Sequence, residues 1–540
     1  MTTISDPTLL GLPSEAELAN LAQGYLSDID PNICLNGIAN LADGDSALLE
    51  SRFETKAGQV NADLNNYFGA DQKIIDDVLS LDPFNVTNQQ PSGSKGQNAV
   101  SYSPKILSEK ESKQYAENAA GVNYGSVPAP VNKSSIVVGN KSIEQIRADF
   151  PILTTQINGN QLIWFDNGAT TQRPQVVIDR LVQYYTTENS NVHRAAHQLA
   201  ARSTDAYEDA RQKVADFIGA PSKNDIVWVR GTTEGFNLVA HSFVKPRLQP
   251  GDEIIVSILE HHANIVPWQL VAAETGAVIK VIPVDSKGDL LIHEYEQLFT
   301  PRTKFVSVAH VSNTLGTITP IEELIHIAHR HNVPILIDAA QSIAHLPINV
   351  SASDADFLVF SGHKMYGPNG IGAVYGKSAY LEEAKPYHGG GNMIKDVTFE
   401  RTIYNPAPNK FEAGTGSIAD AVGLGAAIDY LSEIGMGNVA KYEHELTQYA
   451  VKELSKVKGL HLVGLPLNKS GVLSFVLDGH SITEVGEYLD KYGIAVRAGH
   501  HCAQPVLRHY GYEGTIRPVL GLYNTPDEVD TLVKALYALV

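Results

Sequence analysis

Lys364 closes the turn Ser361-Gly362-His363-Lys364-Met365-Tyr366-Gly367-Pro368, directly after the apolar run Phe357-Leu358-Val359-Phe360. About 26 positions earlier a second apolar run, Ile335-Leu336-Ile337, ends in Asp338. Short apolar runs of this kind read as strands, so an acid stands at one strand end and a primary amine beyond the next. That pairing suits pyridoxal phosphate, which needs a carboxylate for its pyridinium nitrogen and an amine for its aldehyde. The cofactor supplies the electron sink, so the placement of these two groups sets the class of reaction.

Other parts of such a site can be found around them. Arg230-Gly231-Thr232-Thr233-Glu234-Gly235 follows one strand-like run and opens a helix. A glycine-threonine turn there aims backbone N–H groups and the Thr232 and Thr233 hydroxyls at a phosphate, although a plain helix cap has the same sequence. Ser361 and His363 would add donors beside the lysine. Glu260-His261-His262-Ala263-Asn264 follows another apolar run. Adjacent histidines diverge on regular structure and no third ligand has suitable spacing, so no metal site is expected. An imidazole stacked on the pyridine ring, able to shuttle protons, fits His261 better. Asp338 would keep the ring nitrogen protonated, since an ion pair at about 4 Å in an effective dielectric of about 20 is worth roughly 4 kcal/mol before desolvation. Gln341, three residues on, can reach the ring's phenolic oxygen.

A second reactive group lies near the C-terminus, in Val496-Arg497-Ala498-Gly499-His500-His501-Cys502-Ala503-Gln504-Pro505. A lone cysteine is usually an inert small hydrophobe. Here glycine, two histidines, glutamine and proline place it on a polar loop, where a nearby arginine and the histidines would favour the thiolate. Arg517, in Thr515-Ile516-Arg517-Pro518, is a candidate clamp for a substrate carboxylate. Cys34 has no such neighbours and receives no role.

The elements that must hold these groups differ along the chain. At 540 residues two or three units are expected, with 43% hydrophobic and 19% charged residues to build a large core. A net charge of -19 argues against nucleic acid or an anionic membrane as partner. There is no run of 18 apolar residues and no secretory pattern at Met1-Thr2-Thr3-Ile4-Ser5-Asp6. Two cysteines exclude a disulfide framework and a four-cysteine zinc site, which fits a cytoplasmic protein.

Residues 1–140 hold none of the three tryptophans, and their charge is strongly acidic. From about Pro83 to Asn140 the composition is that of a disordered linker, rich in Pro, Gly, Ser, Asn and Gln. Upstream, Ser14-Glu15-Ala16-Glu17 is a capping-box pattern followed by Leu18, Leu21, Tyr25 and Leu26 at helical spacing. Ile74, Ile75, Val78 and Leu79 form a second island. Either these pack on the body of the protein or they are docking motifs on a tether, and their isolation in polar chain favours the tether.

Past Lys141 the texture is α/β. Ser142 caps a helix that Pro151 stops, and apolar runs at Ile226–Val229, Glu253–Val256, Val278–Ile282 and Phe305–Val308 alternate with helical segments. Such runs predict a mostly parallel sheet with ligands at the strand carboxyl ends. The expected division is a 1–140 extension, a cofactor-binding large domain over 141–422, and a smaller α+β domain over 423–540 that carries the cysteine loop.

Taken together these motifs resemble the group II (SufS-like) cysteine desulfurases of the class V aminotransferase family, from about residue 142 to 540. The resemblance rests on Ile146 to Pro151, Arg230 to Glu234, Glu260 to Trp268, His310-Val311-Ser312-Asn313, Asp338 to Gln341, Ser361 to Pro368, Phe411-Glu412-Ala413-Gly414-Thr415, and Arg497 to Pro505. It implies a fold-type I pyridoxal phosphate enzyme, a homodimer, in which Lys364 anchors the cofactor and moves protons while His261 covers the ring. It further implies that Thr232, Thr233, Ser361 and His363 hold the phosphate, with Thr415 donated by a second subunit. Asn313 and Arg517 would bind the substrate carboxylate, and His193 and Arg497 would line the site. Cys502 would take the sulfur of L-cysteine as a persulfide, leaving L-alanine, and pass it to an acceptor protein or small thiol for iron–sulfur cluster assembly. Two positions depart from the family pattern: Gly168 stands where alanine is common, and Gly416 follows Thr415. The acidic extension resembles that of cysteine desulfurases packaged in encapsulin shells, where the tail is the loading signal. The competing functions are a selenocysteine lyase or cysteine sulfinate desulfinase on the same scaffold, a transaminase, and a non-catalytic cargo scaffold.

Overall fold

The described part of the chain opens on an arm tied to its C-terminal helix. The structure, a computed structural model, describes residues 136–192 and 197–540. The two N-terminal islands, Cys34 and His193 lie outside the described residues. The linker reading runs too far at its C-terminal end: Val137–Val138 pairs antiparallel with Lys141–Ser142, and Val138 is buried. Val138, buried just before a Gly139 turn, and the partly buried Ile136 are enough to dock that segment. Gly139 is required there, since φ is +62° and an added Cβ would meet the Ile434 carbonyl oxygen at 2.3 Å.

Helix α1 (Ile143–Ala148) starts as its sequence dictates. Ser142 Oγ accepts from the Gln145 N–H while the Gln145 side chain accepts from the Ser142 N–H, a complete capping box. Arg147 at its end donates to the Tyr523 carbonyl (2.6 Å) and pairs with Glu528 (2.7 Å), joining the arm to the C-terminal helix. The next helices with a bearing on the site are α2 (Gln198–Ile218) and α3 (Thr232–Val239).

Seven strands form the central sheet: β1 (Ile226–Val229), β2 (Glu253–Ser257), β3 (Val278–Ile282), β4 (Thr303–Ala309), β5 (Ile335–Asp338), β6 (Phe357–Ser361) and β7 (Gly372–Gly376). Their order is β1-β7-β6-β5-β4-β2-β3, with β7 alone antiparallel to its neighbours. The strands are buried on both sides, which is why they read as continuous apolar runs. Alternate residues feed opposite cores: Val227, Ile254, Phe305, Leu336 and Val359 face one cluster, and Trp228, Ile255, Val306, Ile337 and Phe360 the other. The parallel direction brings the ends of β2, β4, β5 and β6 to one edge. Asp338 lies opposite Val359 there, so Asp338 and Lys364 emerge side by side.

Strand β7 is absent from the apolar pattern, because its sequence is Gly-Ala-Val-Tyr-Gly. Its glycine is dictated by close packing: a Cβ on Gly372 would lie 2.4 Å from the Phe360 carbonyl oxygen. After the sheet come α4 (Ile418–Ile434) and α5 (Met436–Leu454), followed by a four-stranded antiparallel sheet. Its strands are β8 (Leu460–Leu462), β9 (Phe475–Leu477), β10 (Arg497–Gly499) and β11 (Thr515–Arg517), in the order β8-β9-β11-β10. The apolar run from Gly471 thus becomes a strand only at Phe475. Helix α6 (Ile482–Lys491) lies between β9 and β10, and α7 (Pro526–Leu539) closes the chain.

One buried ion pair ties α2 to the segment after the sheet. Arg211 is fully buried and grips Glu412 with a two-pronged contact, Nη1 to Oε1 at 2.6 Å and Nη2 to Oε2 at 2.9 Å. Glu412 Oε1 also accepts from the Trp228 N–H at 2.8 Å. Replacing Arg211 by leucine would strand a buried carboxylate, with an expected loss of about 3–5 kcal/mol. The shift in the urea midpoint measures it, and a loss below about 1 kcal/mol would show that the pair does not hold the segment.

Candidate active site

The carboxyl ends of the parallel strands open into a cavity of about 340 Å³. This is within the usual size range of small-molecule sites. Lys364, Asp338, Gln341, Ser361, His363, Thr232, Thr233, His261, Asn313, Arg497, Arg517 and Cys502 all line it. Thr415 does not: it lies on an exposed segment with its hydroxyl 3.5 Å from Asn191.

The lysine sits on a 3-10 turn, Gly362–Lys364, directly after β6. The segment Asp166–Thr171 wraps that turn. The Thr170 hydroxyl and the Thr171 N–H each donate to the His363 carbonyl at 3.0 Å, and the Tyr366 N–H donates to the Thr171 hydroxyl at 2.7 Å. Burial lowers the Lys364 amine to about 8, with the Asp338 charge holding it from falling further. Burial raises Asp338 to about 6, opposed by the Ala340 N–H (2.8 Å to Oδ1) and by Lys364. The acid therefore remains mostly ionised at neutral pH, facing an amine that loses its proton unusually easily.

Two walls of the cavity follow from local geometry. At the start of α3 the Thr232 N–H and hydroxyl both contact Ser361 Oγ, at 2.8 and 2.7 Å. Gly231 leaves the space beside them open; a Cβ there would stand 3.1 Å from Ser361 Oγ. Hydroxyls and a helix N-terminus around a glycine-made recess form a donor set suited to a phosphate. His261 Nδ1 accepts from the Ala263 N–H at 3.0 Å, and burial and the Lys364 charge lower the imidazole to about 3. It is neutral, with its proton on Nε2. An amine, a buried acid, a neutral imidazole and a hydroxyl-lined helix start in one cavity fit pyridoxal phosphate.

The opposite wall is basic. Arg497 and Arg517 are cross-strand partners on β10 and β11, a pairing of like charges that is unfavourable by itself. Asp166 answers both. It takes Arg497 through Nε (3.1 Å) and Nη2 (2.8 Å), and stands 3.8 Å from Arg517. Arg517 is buried, its Nη1 donates to the Asn313 carbonyl (2.9 Å), and its buried Nε has no partner among the described residues. Two guanidiniums against one carboxylate leave room for one more anion. Burial brings Arg517 down to about 10, still fully charged at neutral pH. Gly168 belongs to this wall too, because a Cβ there would lie 3.2 Å from Arg517 Nη2 and 2.9 Å from Val519.

Cys502 is half-buried and pinned. Its carbonyl accepts from the His262 N–H (2.7 Å) and its N–H donates to His500 Nδ1 (3.0 Å). Asn313 Nδ2 donates to the His501 carbonyl at 2.7 Å, and His501 Nε2 meets the Thr515 hydroxyl at 2.8 Å. His501 and Cys502 both adopt positive φ, +53° and +54°.

Sequence reasoning missed Asp166 and His501. Asp166 had a signal, an acid ending the apolar Ile163-Trp164-Phe165 before an Asn-Gly turn, but its arginines lie over 300 positions away. His501 was read only as one of the histidines favouring the thiolate, whereas burial lowers it to about 3, so it adds no charge beside the sulfur and instead ties the loop to Thr515.

A doubly covered α/β sheet with a buried lysine–aspartate pair at its carboxyl edge defines a pyridoxal phosphate-dependent protein. The chain belongs to the class-V aminotransferase family, which matches residues 163–532. It is 58% identical over 394 residues to a probable cysteine desulfurase of Mycolicibacterium paratuberculosis, covering 73% of this chain and 58% of that protein. It is 56% identical over 411 residues to a cysteine desulfurase of Synechococcus elongatus, covering 76% of this chain and 66% of that protein. The crystal structure of the Escherichia coli cysteine desulfurase CsdA superposes with a TM-score of 0.69 at 39% identity, over 74% of this chain and 99% of that one.

Competitive acetylation of the cofactor-free protein should find Lys364 half-reactive near pH 8, against about 10.4 for an ordinary lysine. Asp338→Asn should lower that midpoint, because the carboxylate is what holds it up. A midpoint above about 10 would contradict the burial of the amine.

Proposed function

We propose that this chain is a cysteine desulfurase that transfers the sulfur of L-cysteine to Cys502 and releases L-alanine. The observation that carries the reading is a half-buried thiol lining the same cavity as a buried amine and a guanidinium with a spare donor. The names of the relatives at 56–58% identity support it.

Pyridoxal phosphate, when bound, supplies the electron sink that lets the bond to sulfur break. Thr232, Thr233, Ser361 and His363 would hold its phosphate, His261 would cover the ring, Asp338 would keep the ring nitrogen protonated, and Gln341 would address the phenolic oxygen. Gln341 is already oriented, its Nε2 donating to the Gly168 carbonyl at 2.7 Å. Arg517 and Asn313 bind the substrate carboxylate, with Arg497 held aside by Asp166. Lys364 Nζ moves the proton at the α-carbon, a task suited to an amine that titrates near neutrality. Cys502 Sγ attacks the substrate sulfur: an S–S bond forms, the C–S bond breaks, and the carbon skeleton leaves as alanine after gaining a proton. The sum is L-cysteine plus thiol giving L-alanine plus persulfide.

The persulfide is then passed to an acceptor protein or a small thiol. We read residues 141–422 as the cofactor-binding domain and 423–540 as the domain presenting the cysteine. Thr415, exposed and away from its own cavity, supports a homodimer in which it completes the partner's phosphate site. His193 is assigned to the substrate side by family resemblance. The acidic extension of residues 1–140, which precedes the family match, supports docking to an encapsulin-type shell within the cytoplasm.

Alanine formation from L-cysteine tests the chemistry. The unmodified protein should make it, and Lys364→Ala and Cys502→Ser should not. Equal alanine from the serine variant would favour a lyase or desulfinase that needs no thiol. Removing residues 1–135 should leave turnover within about threefold while abolishing co-purification with a shell protein; an inactive truncated protein would mean that the extension belongs to the catalytic body.

A further inference from the structure

His261 caps a single 3-10 turn, His262–Asn264, through its Nδ1. The next residue, His262, makes its contacts with the loop that carries Cys502. Its N–H donates to the Cys502 carbonyl at 2.7 Å. Its ring Nε2 accepts from the Gln504 N–H at 3.3 Å. The same ring stacks on that of His500, with centroids 5.8 Å apart and planes 27° from parallel. His500 Nδ1 in turn accepts the Cys502 N–H at 3.0 Å.

Each contact answers a local need of the loop. His501 and Cys502 both have positive φ, a conformation that side-chain-bearing residues hold only under outside constraint. Ala503, at the start of the short helix Gln504–His509, has no side-chain group to cap it, so the Gln504 N–H needs an acceptor from elsewhere. His262 Nε2 is that acceptor, which puts the ring proton on Nδ1. Burial and the neighbouring His500 ring hold His262 below its ordinary value, in keeping with a neutral acceptor. The ties from Asn313 and Thr515 act on His501, one residue earlier. The N–H and carbonyl of Cys502 itself go to His500 and His262, whose rings brace each other.

We propose that His262 is a positioning residue for sulfur transfer, its ring holding the Cys502 loop in register with the turn that bears His261. One turn thereby serves two reacting parts, the cofactor face through His261 and the thiol through His262. The inference rests on the reading of Cys502 as the sulfur acceptor. Two sulfur atoms must meet in line to form a bond, and a displacement of about 1 Å can slow such a step by up to about a hundredfold.

L-Cysteine sulfinate separates steps that use the thiol from steps that do not. Its C–S bond breaks with the electron pair kept on carbon, sulfur dioxide leaves, and the carbon gains a proton, so alanine forms without a thiol. His262→Ala should lower kcat/KM for L-cysteine, relative to that for the sulfinate, by about fivefold or more. Iodoacetamide should alkylate Cys502 in the cofactor-loaded variant about threefold or more faster than in the unmodified protein, as read on the Cys502 peptide by mass spectrometry. His262→Gln, whose amide oxygen can stand where Nε2 stands, should restore most of both values. Alkylation within about threefold of the unmodified rate would overturn the hold on the loop. Faster alkylation with the substrate ratio changed by less than about fivefold would overturn the positioning role. A glutamine variant as loose as the alanine variant would overturn the acceptor assignment. Alkylation involves no turnover, so faster alkylation of His262→Ala in a protein that makes no alanine from L-cysteine would support the hold on the loop and count against the proposed function alone.

Discussion

Placing an amine and a carboxylate in one desolvated cavity is the constraint on which the rest of the structure depends. Each charge alone would be strongly opposed by burial, and together they stabilise each other only if the chain holds them in fixed register. The parallel β5–β6 pair does this: adjacent strands running the same way end at the same edge, so Asp338 and the turn carrying Lys364 leave the sheet as neighbours. The two buried cores on either face make that edge rigid, because both strands contribute alternate residues to each core.

The second wall obeys similar electrostatics with the signs reversed. Antiparallel pairing of β10 and β11 sets two arginines opposite each other, and Asp166, from a segment that also wraps the lysine turn, compensates them. One short stretch, Asp166 to Thr171, thus contacts both the amine-bearing turn and the cationic wall. The site is less a pocket in a finished fold than a junction whose closure depends on a single connecting segment.

How much of this was legible in the sequence depended on whether the signal was local. The capping box at Ser142, the apolar runs of β1 to β6, and the lysine and cysteine turns all declare themselves within a few residues. Strand β7 did not, because Gly372 admits neighbouring backbone and Gly376 the side chains of Leu381 and Phe357, which erases the apolar pattern. The edge of the linker was misjudged because one buried valine, Val138, with Ile136 beside it suffices to dock a polar stretch. Asp166 was invisible as a clamp, since its partners are fixed by tertiary register and not by spacing. Glu260 stood within a recognised motif, but the donors that enclose it, the Ala309 N–H and the Asn264 amide, are set by tertiary packing.

The consecutive positive-φ residues His501 and Cys502 carry a consequence for delivery. Each non-glycine residue in that region costs about 1–2 kcal/mol, and the loop keeps the conformation because ties from His262, Asn313, His500 and Thr515 hold it. A thiol so fastened has no reach. On the proposed chemistry it cannot swing out to hand on a sulfur atom, so the recipient has to bring its own nucleophile into the cavity mouth. That is a requirement of shape: a small molecule or a slender projecting finger can meet it, and a broad flat surface cannot.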